Sequence, residues 1–308
     1  MVDVINTFFN KNFNQNCFTN VYGLSRSCLA FGTLSTFIFS SPKILFDKVL
    51  FNVNNSGDLI DKLNIFYLFG YDNLYFSYTL SILILLAVIS GIYPRFTGIL
   101  HWIITFSFQY ASAIPDGGDQ IAMILSLYFV PITVMDNRKN HFYTSIYQTS
   151  FQNSVSCLVT KFLIPLQMSI IYFHSAIEKL YKLEEWRNGT ALYYILEDPL
   201  FGSSFFKKQI MNLFSSKYIV VPLTWGTVLI EILLFSALFM NYKNKKILFF
   251  IGTIFHFSII LFFGLFSFFF SMFSGLIVYL LNPSDNFRFF NFKKLPLIKS
   301  ISKYKLNL

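Results

Sequence analysis

Charged side chains are scarce in this sequence of 308 residues, because Asp, Glu, Lys and Arg together make up only 13% of it. A soluble domain has roughly a quarter of its residues charged, so an ordinary soluble protein is excluded. Hydrophobic residues account for 55% of the chain, and Phe alone occurs 41 times. They come in long blocks rather than short amphipathic periods, which is typical of a polytopic membrane protein.

Several chemical motifs are also missing. The three cysteines, Cys17, Cys28 and Cys157, are scattered and show no C-x-x-C spacing, so no disulfide framework is expected. The sequence has no H-E-x-x-H zinc motif, no G-x-S-x-G nucleophile elbow, no Walker phosphate loop and no dinucleotide fingerprint. His174 and Glu178 have the i, i+4 spacing of helical metal ligands, but one such pair is too little to predict a metal site. The sequence leaves the cofactor, if there is one, unknown.

The apolar blocks have the length of membrane-spanning helices, for which roughly 20 residues cross ~30 Å of hydrocarbon. They do not alternate in the way that barrel strands do. The sequence therefore predicts an all-α fold, a transmembrane helical bundle of about eight spans at residues 21–40, 74–93, 96–114, 119–135, 160–180, 218–240, 247–263 and 267–282. The last two spans form one apolar block, which we divide at Gly264. A single long tilted helix with a re-entrant piece is the alternative.

The net charge of +9 would suggest nucleic-acid binding in a soluble protein. Here basic loops that fix the topology account for it, and no nucleic-acid partner is expected. If the N-terminus is cytoplasmic, Lys and Arg are more frequent in the inner segments than in the outer ones, as the positive-inside rule requires. We therefore predict a multi-pass protein of the plasma membrane with both termini cytoplasmic.

The predicted organisation has three parts. Residues 1–20 form a cytoplasmic N-terminal segment, residues 21–282 form the transmembrane domain, and residues 283–308 form a basic cytoplasmic tail. Anionic membrane lipid attracts each Lys or Arg of such a tail by ~1 kcal/mol. Membrane lipid is therefore an expected partner.

Ionisable side chains inside a membrane are costly, so each is a functional candidate. The predicted spans contain Arg26, His101, His174, Glu178, Lys179, Glu231 and His256. Glu231 lies too deep to reach water and needs an internal partner, for which Arg26 or a histidine is available. Arg26 lies near the end of its span and is expected to reach the cytoplasmic surface. His101 and His256 are more often hydrogen-bonded packing residues than ligands.

Helical spacing places two polar stripes on the span 160–180. The first holds Gln167, His174 and Glu178, and the second holds Tyr172, Ser175 and Lys179. We expect both stripes to point into the bundle near its outer end. The alternative is that Glu178 and Lys179 form an interfacial ion pair or extend to water.

The DGGDQ segment, residues 116–120, is predicted to face outward. Asp116 and Asp119 are paired carboxylates around a flexible turn, which makes both of them candidate site residues. The structural alternative is a tight turn in which Asp119 caps the fourth span.

Three motifs carry a family resemblance: NVYGLSRSCLAFGTL (20–34), IPDGGDQ (114–120) and EEWRNGTALYYILEDPLFG (184–202). Together they resemble the SdpB family, bacterial membrane proteins of the sporulation-delaying-protein type of antimicrobial peptide system. The resemblance implies an HTTM-type helical membrane domain in the bacterial cell membrane and a role in maturing a secreted peptide toxin. It also implies two partners, a small SdpA-type protein and an SdpC-type toxin precursor, but not the chemistry that the membrane protein performs.

The HTTM class also contains the vitamin K-dependent gamma-carboxylases. Their pattern is a Tyr-Phe pair inside a helix, Lys-Lys-Leu at its end, and then Trp-x-x-Gly. The similar positions here are Tyr172-Phe173, Glu178-Lys179-Leu180 and Trp186-Arg187-Asn188-Gly189, with His256 and Phe263-Gly264-Leu265-Phe266 further on. This resemblance implies a base at Lys179. Glu178 replaces the first Lys of the pattern, and the large extramembrane domain of the carboxylases has no counterpart.

We expect Lys179 to point into an outward-opening cavity, where apolar surroundings disfavour its charged form and suit it to act as a base. Glu178 is expected to face His174. Trp186 is expected to anchor the emerging segment at the level of the lipid headgroups, and Gly189 to let the chain turn.

Two classes of function remain open at this point. One is an enzyme-like component, with carboxylase-like chemistry as one form of it. The other is a non-catalytic export scaffold or a transporter. Convergence of Lys179, His256 and Asp116 within a few ångströms would favour the enzyme, and scattered positions would favour the scaffold.

Overall fold

The computed structural model describes residues 15–54, 58–143, 149–198, 211–212 and 214–287. Within these ranges the fold is helical and has no sheet, and a lone antiparallel bridge joins Ile92 and Asn140. The predicted all-α class is confirmed. The long helices of the described chain are numbered α1 (Asn20–Phe39), α2 (Leu74–Ile89), α3 (Pro94–Ala111), α4 (Gly117–Val134), α5 (Ser150–Lys182), α6 (Lys217–Ser236), α7 (Tyr242–Phe263) and α8 (Phe266–Leu280).

Short helices fill the connections. Between α1 and α2 they are Pro42–Leu45, Lys48–Asn54, Leu59–Lys62, Ile65–Phe69 and the 3₁₀ turn Tyr71–Asn73. Between α5 and α6 they include Glu184–Arg187 and Ala191–Glu197, and a 3₁₀ turn, Ala237–Phe239, extends α6. These two connections are the polar segments that separate the apolar blocks in the sequence.

Each predicted span coincides with one long helix, and the largest difference is at the start of α5. The prediction begins at residue 160, whereas α5 begins at Ser150. A reciprocal capping box explains the extra turns, because Thr149 accepts from the backbone N–H of Gln152, whose side chain accepts from the backbone N–H of Thr149. A π-turn, Val159–Leu163, interrupts the helix just before Pro165, whose missing N–H breaks the regular ladder.

Helices α1 and α8 form the centre of the bundle. They pack extensively on each other, and most residues of both are buried. Small residues permit this close approach, as at Ser25 and Ser274, whose hydroxyl oxygens lie 2.9 Å apart. A Cβ on Gly275 would come within 2.3 Å of the sulfur of Met168 on α5. Small side chains therefore permit the close packing of α1 on α8 at Ser25 and Ser274, and of α5 on α8 at Gly275.

Among the described residues, five helices are long and apolar enough to cross a membrane: Tyr71–Ile89, Gly117–Val134, Ser150–Lys182, Lys217–Phe239 and Tyr242–Phe263. Phe266–Leu280 is apolar but shorter. The polar residues of α1 and α3 are mostly buried against other helices, which lowers the mean hydropathy of these two helices although their exposed side chains are largely apolar. The total of eight crossings remains a prediction.

The division of the last apolar block at Gly264 is confirmed. Helix α7 ends at Phe263, Gly264 adopts the left-handed conformation with φ of 71°, and α8 begins at Phe266. A left-handed residue after a helix is a common C-terminal cap, and glycine adopts it without steric cost. The two helices then pack against each other, so the alternative of a single long tilted helix is wrong.

The two ends of the described chain meet on one face of the bundle. The side-chain amide of Asn20 donates to the carbonyl of Phe287 at 2.6 Å and accepts from its N–H at 2.7 Å. The Thr19 hydroxyl donates to the carbonyl of Pro283 at 2.7 Å. Most of the predicted segments 1–20 and 283–308 lies outside the described residues. That the shared face is cytoplasmic remains a prediction.

Cysteine labelling tests this orientation. In a chain with Cys17, Cys28 and Cys157 changed to Ala, we expect Tyr181→Cys to react with a membrane-impermeant maleimide on intact cells. Lys243→Cys should react only after the cells are permeabilised, because it lies on the face that carries both ends of the described chain. Both positions are exposed, so burial does not limit either reaction. The reverse pattern of labelling would place the termini outside.

Candidate functional site

A cavity of about 670 Å³ lies among α5, α6, α7 and α8, with the short helix Ala191–Glu197 along one side. Its walls are largely aliphatic and aromatic. Hydroxyl, amine, carboxyl and imidazole groups enter it from Tyr172, Ser175, Lys179, Thr227, Glu231, His256 and Ser258. Apolar walls with a few convergent polar groups are typical of a ligand-binding site.

Lys179 and Glu231 form an ion pair in this cavity. The Lys179 Nζ lies 2.6 Å from the Glu231 Oε1, and the two side chains are only 16% and 8% exposed. Ser175, one turn before Lys179, donates to the same carboxylate oxygen at 3.0 Å and accepts from the Lys179 Nζ at 2.6 Å. The second carboxylate oxygen, Oε2, is buried and has no hydrogen-bond partner among the described residues. It is therefore available to accept from a molecule in the cavity.

The expectation that Glu231 needs an internal partner is confirmed, but the partners named for it are wrong. Lys179, rather than Arg26 or a histidine, supplies the positive charge. The packing of α5 on α6 brings together two residues 52 positions apart in the sequence. The expectation that Lys179 points into a cavity is also confirmed.

Trp186 forms part of the cavity wall. The Lys179 Nζ lies 5.0 Å from the centre of the Trp186 ring, which is a cation–π contact. Trp186 is only 7% exposed. The predicted role of Trp186 as an anchor at the headgroup level is therefore wrong. The predicted turn at Gly189 is confirmed by its φ of 76°, and it folds the chain so that Trp186 packs with Ala191 and Val228.

His256 and Tyr172 form a second polar pair in the same cavity. The Tyr172 hydroxyl lies 2.8 Å from the His256 Nε2, and both residues are 2% exposed. The Nδ1 of His256 is buried, and no atom in the described ranges forms a hydrogen bond with it. A neutral imidazole offers one donor and one acceptor, so the ring keeps one hydrogen-bonding position for another molecule.

Glu178 and His174 lie outside the cavity. The His174 Nδ1 is 3.5 Å from Glu178 Oε2, as the spacing predicts, and Lys182 binds the other carboxylate oxygen at 2.5 Å. The side chains of His174 and Glu178 are 71% and 39% exposed. The prediction that this stripe points into the bundle is therefore wrong for His174 and Glu178. It is confirmed for Gln167, which is half-buried and accepts from the Tyr128 hydroxyl of α4 at 3.3 Å. The stripe of Tyr172, Ser175 and Lys179 faces the interior. Glu178 and Lys179 are not paired with each other in the described structure.

Asp116 and Asp119 form a capping box at the start of α4. Asp116 is the N-cap residue and accepts from the Asp119 N–H at 2.9 Å, while Asp119 accepts from the Asp116 N–H at 3.0 Å. The predicted cap is thus present, but the N-cap is Asp116 rather than Asp119. The Ser267 hydroxyl of α8 donates to Asp116 at 2.7 Å. Of the three residues whose convergence was in question, Lys179 and His256 share the cavity and Asp116 does not line it.

Arg26 is fully buried in a separate polar cluster, so the prediction that it reaches the surface is wrong. Its guanidinium lies 3.2 Å from the His141 Nδ1 and donates to the Thr97 hydroxyl at 2.8 Å. The Arg26 Nε has no hydrogen-bond partner in the part of the chain that the structure describes. Among the described residues no carboxylate forms an ion pair with it. A buried charge has a high energetic cost, so the helices around Arg26 must keep positions in which its polar contacts are made.

His141 was missed by sequence reasoning because it follows a polar loop and belongs to no motif. Burial lowers the pKa of His141 well below its usual value, and the positive charges of Arg26 and Arg138 act in the same direction. The imidazole is therefore neutral and can accept from Arg26 at Nδ1. Its Nε2 lies 3.1 Å from the Ser27 hydroxyl, which donates to the Ile89 carbonyl at 2.9 Å. Nε2 is accordingly the protonated nitrogen.

Within the described ranges, no group of three or more His, Cys, Asp or Glu residues is arranged to hold a metal ion. The fold does bring two of the scattered cysteines together. Cys17 and Cys157 are buried free thiols whose sulfur atoms lie 3.3 Å apart. Their separation along the sequence gave no indication of this contact.

Two known proteins are similar to this chain over most of their lengths. Sporulation-delaying protein SdpB of Bacillus subtilis (strain 168) is 38% identical over 270 residues, which cover 86% of this chain and 82% of SdpB. The uncharacterized protein YitO of the same strain is 34% identical over 278 residues, 88% of either chain. No protein-family model matches the chain. No solved structure matches it.

Proposed function

The chain belongs to the SdpB family of membrane proteins, and from this we propose that it helps to mature a secreted antimicrobial peptide toxin. In this proposal it acts with a small SdpA-type protein on an SdpC-type toxin precursor. Residues 21–282 serve as an HTTM-type membrane domain. The observation that carries the proposal is the similarity to SdpB along most of both chains, and the helical membrane architecture agrees with it.

We further propose that the cavity is the place where the chain acts on its substrate. An ion pair in apolar surroundings is costly to maintain, so selection for stability alone does not readily explain Lys179 and Glu231. Their 2.6 Å hydrogen bond gives a proton a direct path from Nζ to Oε1. Transfer along this path leaves a neutral amine, which can accept a proton from a bound molecule. His256 and Tyr172 add a second group of hydrogen-bonding atoms in the same space.

Carboxylase-like chemistry is the more specific form of this proposal. Five positions that resemble the carboxylase pattern line one cavity, and they are Tyr172, Lys179, Trp186, His256 and Phe263. Phe173 and Glu178 do not line it, and Glu178 is the position at which this sequence departs from the pattern. The competing proposal is a scaffold, in which the apolar walls hold a segment of the precursor without chemistry.

Deletion of the gene beside its toxin precursor tests the proposed role. We expect the mature toxin to disappear from the medium and to return when the wild-type chain is supplied in trans. Mass spectrometry of the secreted peptide measures this directly, and a mass difference of one carbon dioxide would identify carboxylation. An unchanged peptide mass together with unchanged toxin activity in the deletion strain would contradict the proposal.

A further inference from the structure

A second pocket, of about 450 Å³, lies at the other end of α5. Lys161 of the π-turn and Lys245 of α7 line it together with Tyr242, Tyr279 and Asn282. Lys161 precedes Lys179 by 18 residues, which corresponds to about 27 Å along a helix. This pocket is therefore separate from the proposed catalytic cavity, and it lies on the face where the two ends of the described chain meet.

The charge of the second pocket is positive. No carboxylate is among its lining residues, and neither lysine is in an ion pair within the described part of the chain. Lys161 donates to the Gln15 side-chain oxygen, which is uncharged, and the Lys245 Nζ lies 5.9 Å from the centre of the Tyr279 ring. Asp285 lies close by, where the Tyr242 hydroxyl and the Asn282 amide donate to its two oxygens, and its single negative charge offsets only one of the two lysine charges.

The start of α7 increases this positive charge. Its first five residues are YKNKK, with three lysines and no acid. A helix N-terminus has a partial positive charge of its own, so lysines there are unfavourable unless an anion is close. The sequence after residue 287 is also basic and contains no Asp or Glu, so its side chains supply no anion.

The pocket also has an apolar part, and the polar side chains of Gln15 and Thr160 complete its lining. The apolar part comes from Pro165, Met240, Val278, Leu280, Leu281 and Pro283. From this combination we propose that the pocket binds a phosphate-type anion, with Lys161 and Lys245 as its charged contacts. Basic pockets between transmembrane helices are suited to phospholipid headgroups. The apolar walls would then receive the first part of the acyl chains. Inorganic phosphate shares the same charge chemistry and is the other source of such a group.

Native mass spectrometry of the purified full-length protein tests this inference. We expect the wild type to retain phosphatidylglycerol about tenfold more than phosphatidylcholine. The double variant Lys161→Gln/Lys245→Gln should retain the two lipids within about twofold of each other. Lys243→Gln/Lys246→Gln is the matched control, because it removes two charges from exposed side chains of the same helix turn that do not themselves line the pocket, although Lys246 contacts the ring of Tyr242. It therefore measures how much of the lipid preference comes from the general positive charge at the start of α7.

A parallel thermal-unfolding measurement in phosphate-free detergent identifies the source. Stabilisation of the wild type by phosphatidylglycerol but not by inorganic phosphate supports a lipid site, and stabilisation by inorganic phosphate alone supports a soluble anion. Equal lipid retention by the two double variants, or no preference for the anionic lipid in the wild type, would overturn the inference. If the pocket variant does not accumulate, Lys245→Gln alone serves as the test, because the described contact of the Lys245 ammonium is a weak one with the Tyr279 ring.

Discussion

Glu231→Leu is expected to lower the free energy of unfolding by about 3–5 kcal/mol, the usual cost of removing one partner of a buried ion pair. The substitution leaves the Lys179 ammonium in an apolar cavity without its carboxylate, and Ser175 loses the oxygen to which it donates. Glu231→Gln should be milder, because its amide oxygen still accepts from both groups. Denaturant unfolding of the purified variants in one detergent measures the difference, and the amount of protein in the membrane should follow the same order.

Two controls separate the ion pair from general damage to the membrane domain. Lys179→Met/Glu231→Leu removes both charges together and should unfold close to the wild type, since neither partner is left uncompensated. Glu178→Leu removes a neighbouring carboxylate that is 39% exposed, and its unfolding should match that of the wild type. If Glu231→Leu were as stable as the wild type, or the double variant as unstable as Glu231→Leu, the pair would not be the source of the effect.

The helices could be predicted from the sequence because a membrane imposes a simple pattern. Long apolar blocks gave the eight helices, and Gly264 marked the division of the last block. The start of α5 was missed because its first turns are polar and are stabilised locally by Thr149 and Gln152. The length of an apolar block cannot reveal a capping box, because a capping box is formed by polar side chains. The number of membrane crossings is harder to predict, because α1 buries polar residues such as Ser25 and Arg26 within the bundle.

The position of the site was predicted better than its pairing. Period 3.6 on one helix was enough to place Tyr172, Ser175 and Lys179 on a common face. The helical period could not show which side chains of the two polar stripes face the interior of the bundle, because that depends on the positions of the neighbouring helices. The partner of Lys179 lies on α6, and the packing of α5 on α6 is a property of the tertiary structure. Trp186 was placed wrongly for the same reason. The preference of Trp for the level of the lipid headgroups does not take into account that the chain folds back at Gly189 and buries this side chain.

Lys179→Arg is expected to leave the protein folded in the membrane and to lower the production of mature toxin by about 100-fold or more, the usual scale of general acid–base catalysis. Arg keeps the positive charge, so it can still bind Glu231 and stack on Trp186. It cannot give up its proton at accessible pH, so the transfer from Nζ to Oε1 is lost. The measurement is the amount of mature peptide in the medium, by mass spectrometry, normalised to the amount of the variant in the membrane.

Lys182→Arg is the matched control, because it makes the same chemical change three residues further along α5 at a side chain that is 63% exposed. It should mature the toxin as the wild type does. Lys179→Ala is less informative, because it removes the amine and leaves Glu231 without its partner, so a base and a structural pair would both be lost. Full maturation by Lys179→Arg would remove the base from the proposal, because a charge that never titrates would then be sufficient. In that case the cavity would hold the precursor without catalysing a reaction, as the scaffold proposal states.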